Sequence, residues 1–336
     1  MDEDAPLTRA PISHSIELGP DTVVIATAGA RHRHLRNFRT DSLCLDPRSL
    51  ERFALNRALS AVGHSVAAVV GVGGGQAMDV AKFVAFHRSL PLVLAPTTTA
   101  SSAAFSPVVA MRHRRNLRYV PGAVPRRIVL DDDVLESAPL GLNRAGAGEL
   151  VAVVPSLVDI RCAPSGWASG RDPVVEDALE QLQADIDDRA DLIGSESESA
   201  ATSSLVPLLA RLARIRGLAA RPQYLDRAPH AFVQAYEHRL GRPENYGAML
   251  GLGAVVATGL QGGETDRVLD LARRARLAAH PLDLGFDEPT FNGILRHTVR
   301  YAVGEDLSHS VFHTADVNIS TAKRLWSALW SLPRRE

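Results

Sequence analysis

The stretch Val69–His87, VVGVGGGQAMDVAKFVAFH, constrains the fold more than any other, because an apolar run meets a glycine cluster and then a helical pattern. Ser65–Val72 is short, rich in β-branched residues and alanine, and closed by glycines, which reads as a buried strand of a parallel sheet. Gly73, Gly74 and Gly75 allow a sharp turn and close backbone approach to a ligand. The unpaired N–H groups of a helix starting at Gly75 and Gln76 attract an anion such as pyrophosphate. Gln76 stands where the ordinary G-x-G-x-x-G fingerprint ends in glycine, so a tight turn without a ligand is the plain alternative. Asp79 and Lys82 lie three apart, share one helix face, and are expected to reach whatever sits above the glycines. Of 37 Lys+Arg only Lys82 and Lys323 are lysines, which suggests a task at position 82 for a compact ammonium rather than a planar fork.

Elements upstream and downstream continue an α/β reading. Asp21–Thr27 is the expected opening strand, Gly29 a turn into a phosphate-facing loop, and Leu43–Leu45 a short strand. Pro47–Val62 has helical spacing, with Pro47 placed to start it. The basic run Arg31–Arg39 reads as a solvated face or as a phosphate contact. Pro91–Ala95 is a strand that runs into PTTTASSAAFSPVVAM, a dense set of hydroxyls on a loop of the kind where open α/β sheets bind ligands. The basic run Arg112–Arg118 reads as a hairpin surface rather than a binding patch, and it leads to strands expected at Arg118–Val120 and Arg127–Asp131. After about residue 137 strand patterns stop. Helical patterns then cover roughly 145–161, 174–192, 200–218, 229–240, 248–260, 265–278, 288–303 and 319–332. The polar SESESAATSS, 195–204, is a loop or helix start.

With 336 residues, two domains are the natural expectation, at 1–137 and 138–336. A net charge of −1 gives no field that favours nucleic acid or an anionic membrane, and no run approaches transmembrane length. Two cysteines, Cys44 and Cys162, fit a reducing compartment, and the acidic start MDEDAPLTRAPIS lacks the apolar core of a signal peptide, so a cytoplasmic location is expected.

GGGQAMDVAK resembles the GGG-x-x-x-D-x-A-K signature of the superfamily holding iron-containing alcohol dehydrogenases, glycerol dehydrogenases, glycerol-1-phosphate dehydrogenases and dehydroquinate synthases. Pro96–Val108 is similar to that superfamily's P-T-T-x(8)-P-V segment. The resemblance implies a Rossmann-like parallel-sheet nucleotide domain followed by an all-helical domain. It also implies NAD or NADP bound by Gly73, Gly74, Gly75, Asp79, Thr97, Thr98 and Thr99.

The resemblance implies a metal site as well, holding zinc or iron. AGAGEL places Glu149 at one ligand position, and PHAFVQAYEHRLG places His230 at a second, with Gln234 where relatives often carry another histidine. NYGAMLGLG puts Tyr246 at the third imidazole position and Ala248 at an acidic one. A neutral phenol is a poor zinc ligand, so this site is reduced or lost unless another group such as Glu237 replaces it. His309 and His313 have metal-like i, i+4 spacing but read more readily as an ordinary exposed pair.

The expected function is an NAD(P)-dependent dehydrogenase acting on an alcohol or carbonyl group of a small molecule or of a secondary-metabolite or peptide intermediate. In a metal-free variant Tyr246 or His230 takes the alcohol proton, with Lys82 assisting electrostatically. Two other readings are a non-catalytic nucleotide-binding scaffold and a dehydroquinate-synthase-like cyclase. Glu149 favours the latter, but it lacks the D-x-x-x-G-G-K stretch. Relatives are commonly dimers or larger, which makes a homodimer the expected assembly.

Overall fold

The structure is a computed structural model that describes residues 6–16, 18–35, 42–164, 171–219, 221–241, 245–305 and 307–335. Residues 1–5 of the acidic start and 36–39 of the basic run lie outside it. The chain divides into two compact units, one ending at Asn143 and one beginning at Arg144.

The N-terminal unit is built on six parallel strands: β1 (Leu7–Arg9), β2 (Thr22–Ala26), β3 (Leu43–Leu45), β4 (Ala68–Gly73), β5 (Leu92–Pro96) and β8 (Arg127–Leu130). Their order across the sheet is β1-β8-β5-β4-β2-β3. In register, Val70 of β4 lies between Val24 and Val93. Val69, Val70 and Val72 are all buried, as a strand covered on both faces requires. The chain leaves β2 for β3 on one side and then crosses to β4 on the other, so the order reverses between β2 and β4. The crevice beyond their carboxyl ends is where open sheets of this kind bind ligands.

The helix Gly75–Arg88 follows β4 and is buried without a break from Ala77 to Ala85. Gly71 lets it lie flat on the sheet, since a Cβ there would come within 2.8 Å of both Ala81 Cβ and Leu94 Cδ2. Ser89 stops the helix in the left-handed conformation, with its N–H bonded back to Ala85 and Phe86.

Three expectations are corrected here. The opening strand is β1, a three-residue edge paired with β8. The helix expected from Pro47 starts at Arg52. The Pro47 carbonyl is instead taken by the Gln76 side chain. The basic run Arg112–Arg118 does lie on an antiparallel hairpin, formed by β6 (Val108–His113) and β7 (Asn116–Pro121), but the strand expectation at Arg118–Val120 leaves out β6. Its turn residues, Arg114 and Arg115, have φ of 53° and 67°, positions where glycine or asparagine is the usual signal.

The C-terminal unit is helical throughout its described residues, as expected. Its centre is the helix Tyr246–Gln261, buried continuously from Gly247 to Gly259. The helix expected over 145–161 breaks into Ala147–Val151 and Val153–Arg161. Pro155 is the cause, because its ring opposes the Val151 carbonyl and it has no N–H to donate.

Asp159 joins distant parts of this unit. Its carboxylate accepts from Ala228 N at 2.9 Å, Gln261 Nε2 at 2.8 Å and Val311 N at 2.9 Å. Burial pushes its carboxyl from 3.8 up to about 6, against the pull of those hydrogen bonds and of Arg227. Arg227 is fully buried and donates to Tyr224 O and His309 O. His309 and His313 are therefore not an exposed pair: His309 is buried, and the two rings stack 5.6 Å apart. Cys44 and Cys162 are free thiols, and no described helix is long and apolar enough to cross a membrane.

Candidate active site

In the N-terminal unit the glycine loop sits at the carboxyl end of β4, beside the reversal point. Gly73 has φ of 147°, open to glycine, and its carbonyl accepts from Thr97 N at 2.9 Å. Gly74 caps the helix in an extended conformation, no side chain caps the helix, and its first turn holds no acidic residue. The first N–H groups therefore point outward with the positive end of the helix dipole, an arrangement that fits a phosphate. A Cβ on Gly75 would meet Ser101 Oγ at 2.8 Å, so the cradle is closed on one side by the loop after β5.

That loop is fixed by a residue with no sequence signal. Fully buried Asn143 accepts from Thr98 Oγ1 and from Thr99 N, both at 2.9 Å, and gives its own N–H to Leu135 O at 2.7 Å. The Thr99 hydroxyl donates to the Asn143 carbonyl at 3.2 Å. The hydroxyl protons of Thr98 and Thr99, expected at the cofactor, are thus used to position the loop. Thr97 is half-buried at its start.

Asp79 and Lys82 do not face a ligand as expected. The Lys82 ammonium is wholly buried, 2.8 Å from Asp79 Oδ1, and donates to the carbonyls of Ala103, Ser106 and Val108 at 2.6–2.9 Å. Asp79 Oδ2 accepts from Ala110 N at 3.1 Å. Together they pin the hairpin β6–β7 and the turn before it to the helix. A tetrahedral ammonium suits acceptors spread around it better than a planar guanidinium, which accounts on structural grounds for a lysine in this arginine-rich chain.

In the C-terminal unit the remaining predicted residues lie on three helices. Gly148 and Gly247 bring two of them into backbone contact: a Cβ on Gly148 would fall 1.7 Å from the Gly247 carbonyl oxygen. This puts Glu149, buried in Ala147–Val151, next to the first turn of the helix that Tyr246 begins. His230 is buried in the first turn of Ala228–Leu240, and its Nε2 lies 3.4 Å from Asp226 Oδ1. Arg216 reaches the same oxygen at 3.5 Å. Desolvation pushes the His230 pKa below its usual range, partly offset by Asp226, lowered further by Arg216 and raised by Glu149. His230 is therefore neutral at pH 7, and its Nδ1 is buried with no hydrogen-bond partner among the described residues. Asp226 lies four residues before His230, a D-x-x-x-H spacing legible in the sequence but not singled out; Arg216 had no signal.

The donor set does not fit a three-ligand metal centre. Among the described residues no group of three or more His, Cys, Asp and Glu is placed to hold a metal ion. The third position is a phenol that must lose a proton to ligate, and the cation beside Asp226 and His230 is a guanidinium.

The fold and these two groups of residues define a class: a parallel-sheet unit with an uncapped helix start behind a glycine loop, followed by a helical unit with a buried carboxylate–imidazole pair. The profile of the family "Iron-containing alcohol dehydrogenase" matches residues 7–139. Glycerol-1-phosphate dehydrogenase [NAD(P)+] from Pyrobaculum neutrophilum is 28% identical, covering 74% of this chain and 75% of its own. The enzyme of the same name from Methanosphaera stadtmanae is 24% identical over 66% of this chain. This chain spans 63% of that relative's length, a little under two thirds. Glycerol dehydrogenase from Schizosaccharomyces pombe shares the fold, with a TM-score of 0.65 at 20% identity over 92% of this chain and 83% of its own. The chain is thus similar to iron-containing alcohol dehydrogenases over residues 7–139 and to glycerol-1-phosphate dehydrogenases over 66–74% of its length.

Proposed function

We propose that the protein is an NAD(P)-dependent oxidoreductase that interconverts an alcohol and a carbonyl on a small-molecule substrate. The observation that carries this reading is the uncapped start of Gly75–Arg88 beside the reversal point of the sheet, which fits the cofactor's pyrophosphate. Its relatives are named for NAD(P)+ and glycerol 1-phosphate, which makes phosphorylated and free polyols the first substrates to try. The nicotinamide, when bound, supplies the hydride acceptor or donor.

The chain's own residues supply the rest. The amides of Gly74, Gly75 and Gln76 hold the anion, and Thr97 with the Asn143-fixed loop borders it. His230 takes the alcohol proton at Nδ1 in the oxidative direction: Asp226 lies at its other nitrogen, which favours the tautomer with a proton on Nε2 and a lone pair on Nδ1. Tyr246 and Glu149 border the same part of the unit and orient the reacting oxygen. The two free thiols support a reducing, cytoplasmic setting.

Titration with NADH and NADPH, followed by nucleotide fluorescence, tests the reading. Saturable one-to-one binding of at least one is expected. No response to either overturns the assignment.

A further inference from the structure

A dinucleotide held at a glycine loop lays its adenosine ribose beside the neighbouring strand, and the residues at the end of that strand read the ribose. A carboxylate there accepts from the 2′-hydroxyl of NAD, whereas an arginine takes the 2′-phosphate of NADP. In this sheet the neighbour is β2, paired with β4 residue for residue from Thr22 to Ala26. The chain turns off β2 directly onto the glycine loop: Ala30 Cβ lies 3.9 Å from where a Cβ on Gly73 would stand. It then makes a single π-helical turn, Arg31–Leu35. Leu35 belongs to the same core cluster as Val72, Ala95 and Val129, and His34 is within electrostatic reach of Asp131, just past the end of β8. The basic run therefore follows the carboxyl edge of the sheet, where the crevice opens. Arg31 and Arg33 are exposed there, and Arg33 folds back over the turn, its Nε donating to Gly29 O at 3.5 Å.

We propose that the protein selects NADP(H) over NAD(H), with Arg31 and Arg33 binding the 2′-phosphate of the adenosine ribose. The inference rests on the oxidoreductase reading for the presence of a dinucleotide. The acceptors that NAD would need are missing or engaged. The sequence has no Asp or Glu from Thr27 to Thr40, and the Thr27 hydroxyl oxygen already accepts from Ala30 N at 3.3 Å. Asp131 accepts from Ile12 N at 2.7 Å and Val134 N at 3.2 Å. Asp46 closes β3, two strand spacings or roughly 10 Å from β4, and lies 3.8 Å from Arg48. Neither Arg31 nor Arg33 has an ion-pair partner among the described residues. A phosphate dianion would thus meet two unpaired guanidinium forks, the geometry that binds phosphate in parallel hydrogen bonds.

The test is fluorescence titration of the full chain with NADPH and with NADH, on wild type, Arg31→Gln, Arg33→Gln and the double variant. Wild type is expected to bind NADPH about ten- to hundredfold more tightly than NADH, as hydrogen bonds to a charged group imply. Higher salt narrows that ratio, because both arginines are exposed and their charges are screened. Adenosine 2′,5′-bisphosphate is expected to displace NADPH at a concentration at least about tenfold below that of 5′-AMP, which traces the preference to the ribose phosphate. Each single variant lowers the NADPH-to-NADH ratio by about three- to tenfold, and the double variant brings it toward one. Far-UV circular dichroism certifies folding, and if the double variant does not fold the two single variants carry the test. NADH bound by wild type as tightly as NADPH overturns the proposal, and so does a ratio that survives unchanged in the folded variants. Either result leaves the oxidoreductase reading in place, whereas a response to neither nucleotide ends both.

Discussion

Lys82 offers the sharpest separation of structural from catalytic roles, because sequence and structure assign it differently. Lys82→Met keeps the chain length and removes the charge, leaving the carbonyls of Ala103, Ser106 and Val108 and the Asp79 carboxylate without their shared donor. The two side chains are 0% and 7% exposed, so water does not replace the ammonium. Breaking a buried ion pair by removing one partner costs about 3–5 kcal/mol. For a unit of this size, at roughly 3–4 °C per kcal/mol, the melting temperature of the N-terminal unit falls by roughly 10–20 °C. Far-UV circular dichroism is the appropriate probe, because Trp167, Trp326 and Trp330 all lie beyond Arg144 and leave the first unit without a tryptophan. Asp79→Asn with Lys82→Met removes the stranded charge and recovers about 1–2 kcal/mol relative to Lys82→Met alone. A Lys82→Met protein that melts within about 2 °C of wild type yet has lost turnover would refute this reasoning and restore the lysine to the reacting site.

Asp159 gives a pH signature. Its folded carboxyl, raised to about 6 from 3.8, holds a proton that the unfolded chain has already released between those values. Its contribution is present below pH 4 and lost as pH rises through 6, so urea stability of wild type relative to Asp159→Asn declines by about 3 kcal/mol across that window. Asn143→Ala frees the Thr98–Thr99 loop; the N-terminal unit loses about 1–3 kcal/mol by circular dichroism, and NADH binding weakens roughly tenfold in fluorescence titration. Gly148→Ala forces the Gly247 backbone away and destabilises the C-terminal unit by about 3 kcal/mol or more in tryptophan-detected urea melts. Gly217→Ala, with open space at its Cβ inside a helix, is the control and stabilises by about 0.5–1 kcal/mol.

The parts of this fold that are legible in the sequence are those where side-chain pattern and backbone agree. β4 and its helix carry an apolar run, a glycine turn and helical spacing in succession, and the long helices of the second half are uninterrupted periodic segments. The hairpin surface at Arg112–Arg118 is legible, but strand β6 and the turn position are hidden, because arginines at 114 and 115 adopt the turn conformation that glycine or asparagine would have announced. The role of Lys82 is misread because helix-face spacing tells which residues neighbour each other, not whether the face meets a ligand or a packed turn. Glu149, His230 and Tyr246 are found by resemblance. Asn143 and Arg216 are not, because a single polar residue whose partners lie 45 or 10 positions away leaves no local pattern.

The three donors that converge on Asp159 have a consequence for biosynthesis. Ala228, Gln261 and Val311 enter the chain 69, 102 and 152 residues after it. At about 5–20 residues per second, the last arrives roughly 8–30 s after Asp159 has been added. Throughout that interval the carboxylate lacks its final partner, so the helical unit reaches its native arrangement only when nearly all of it has left the ribosome. A nascent chain stalled before Val311 holds that carboxylate one donor short and leaves the helices around it without their last partner.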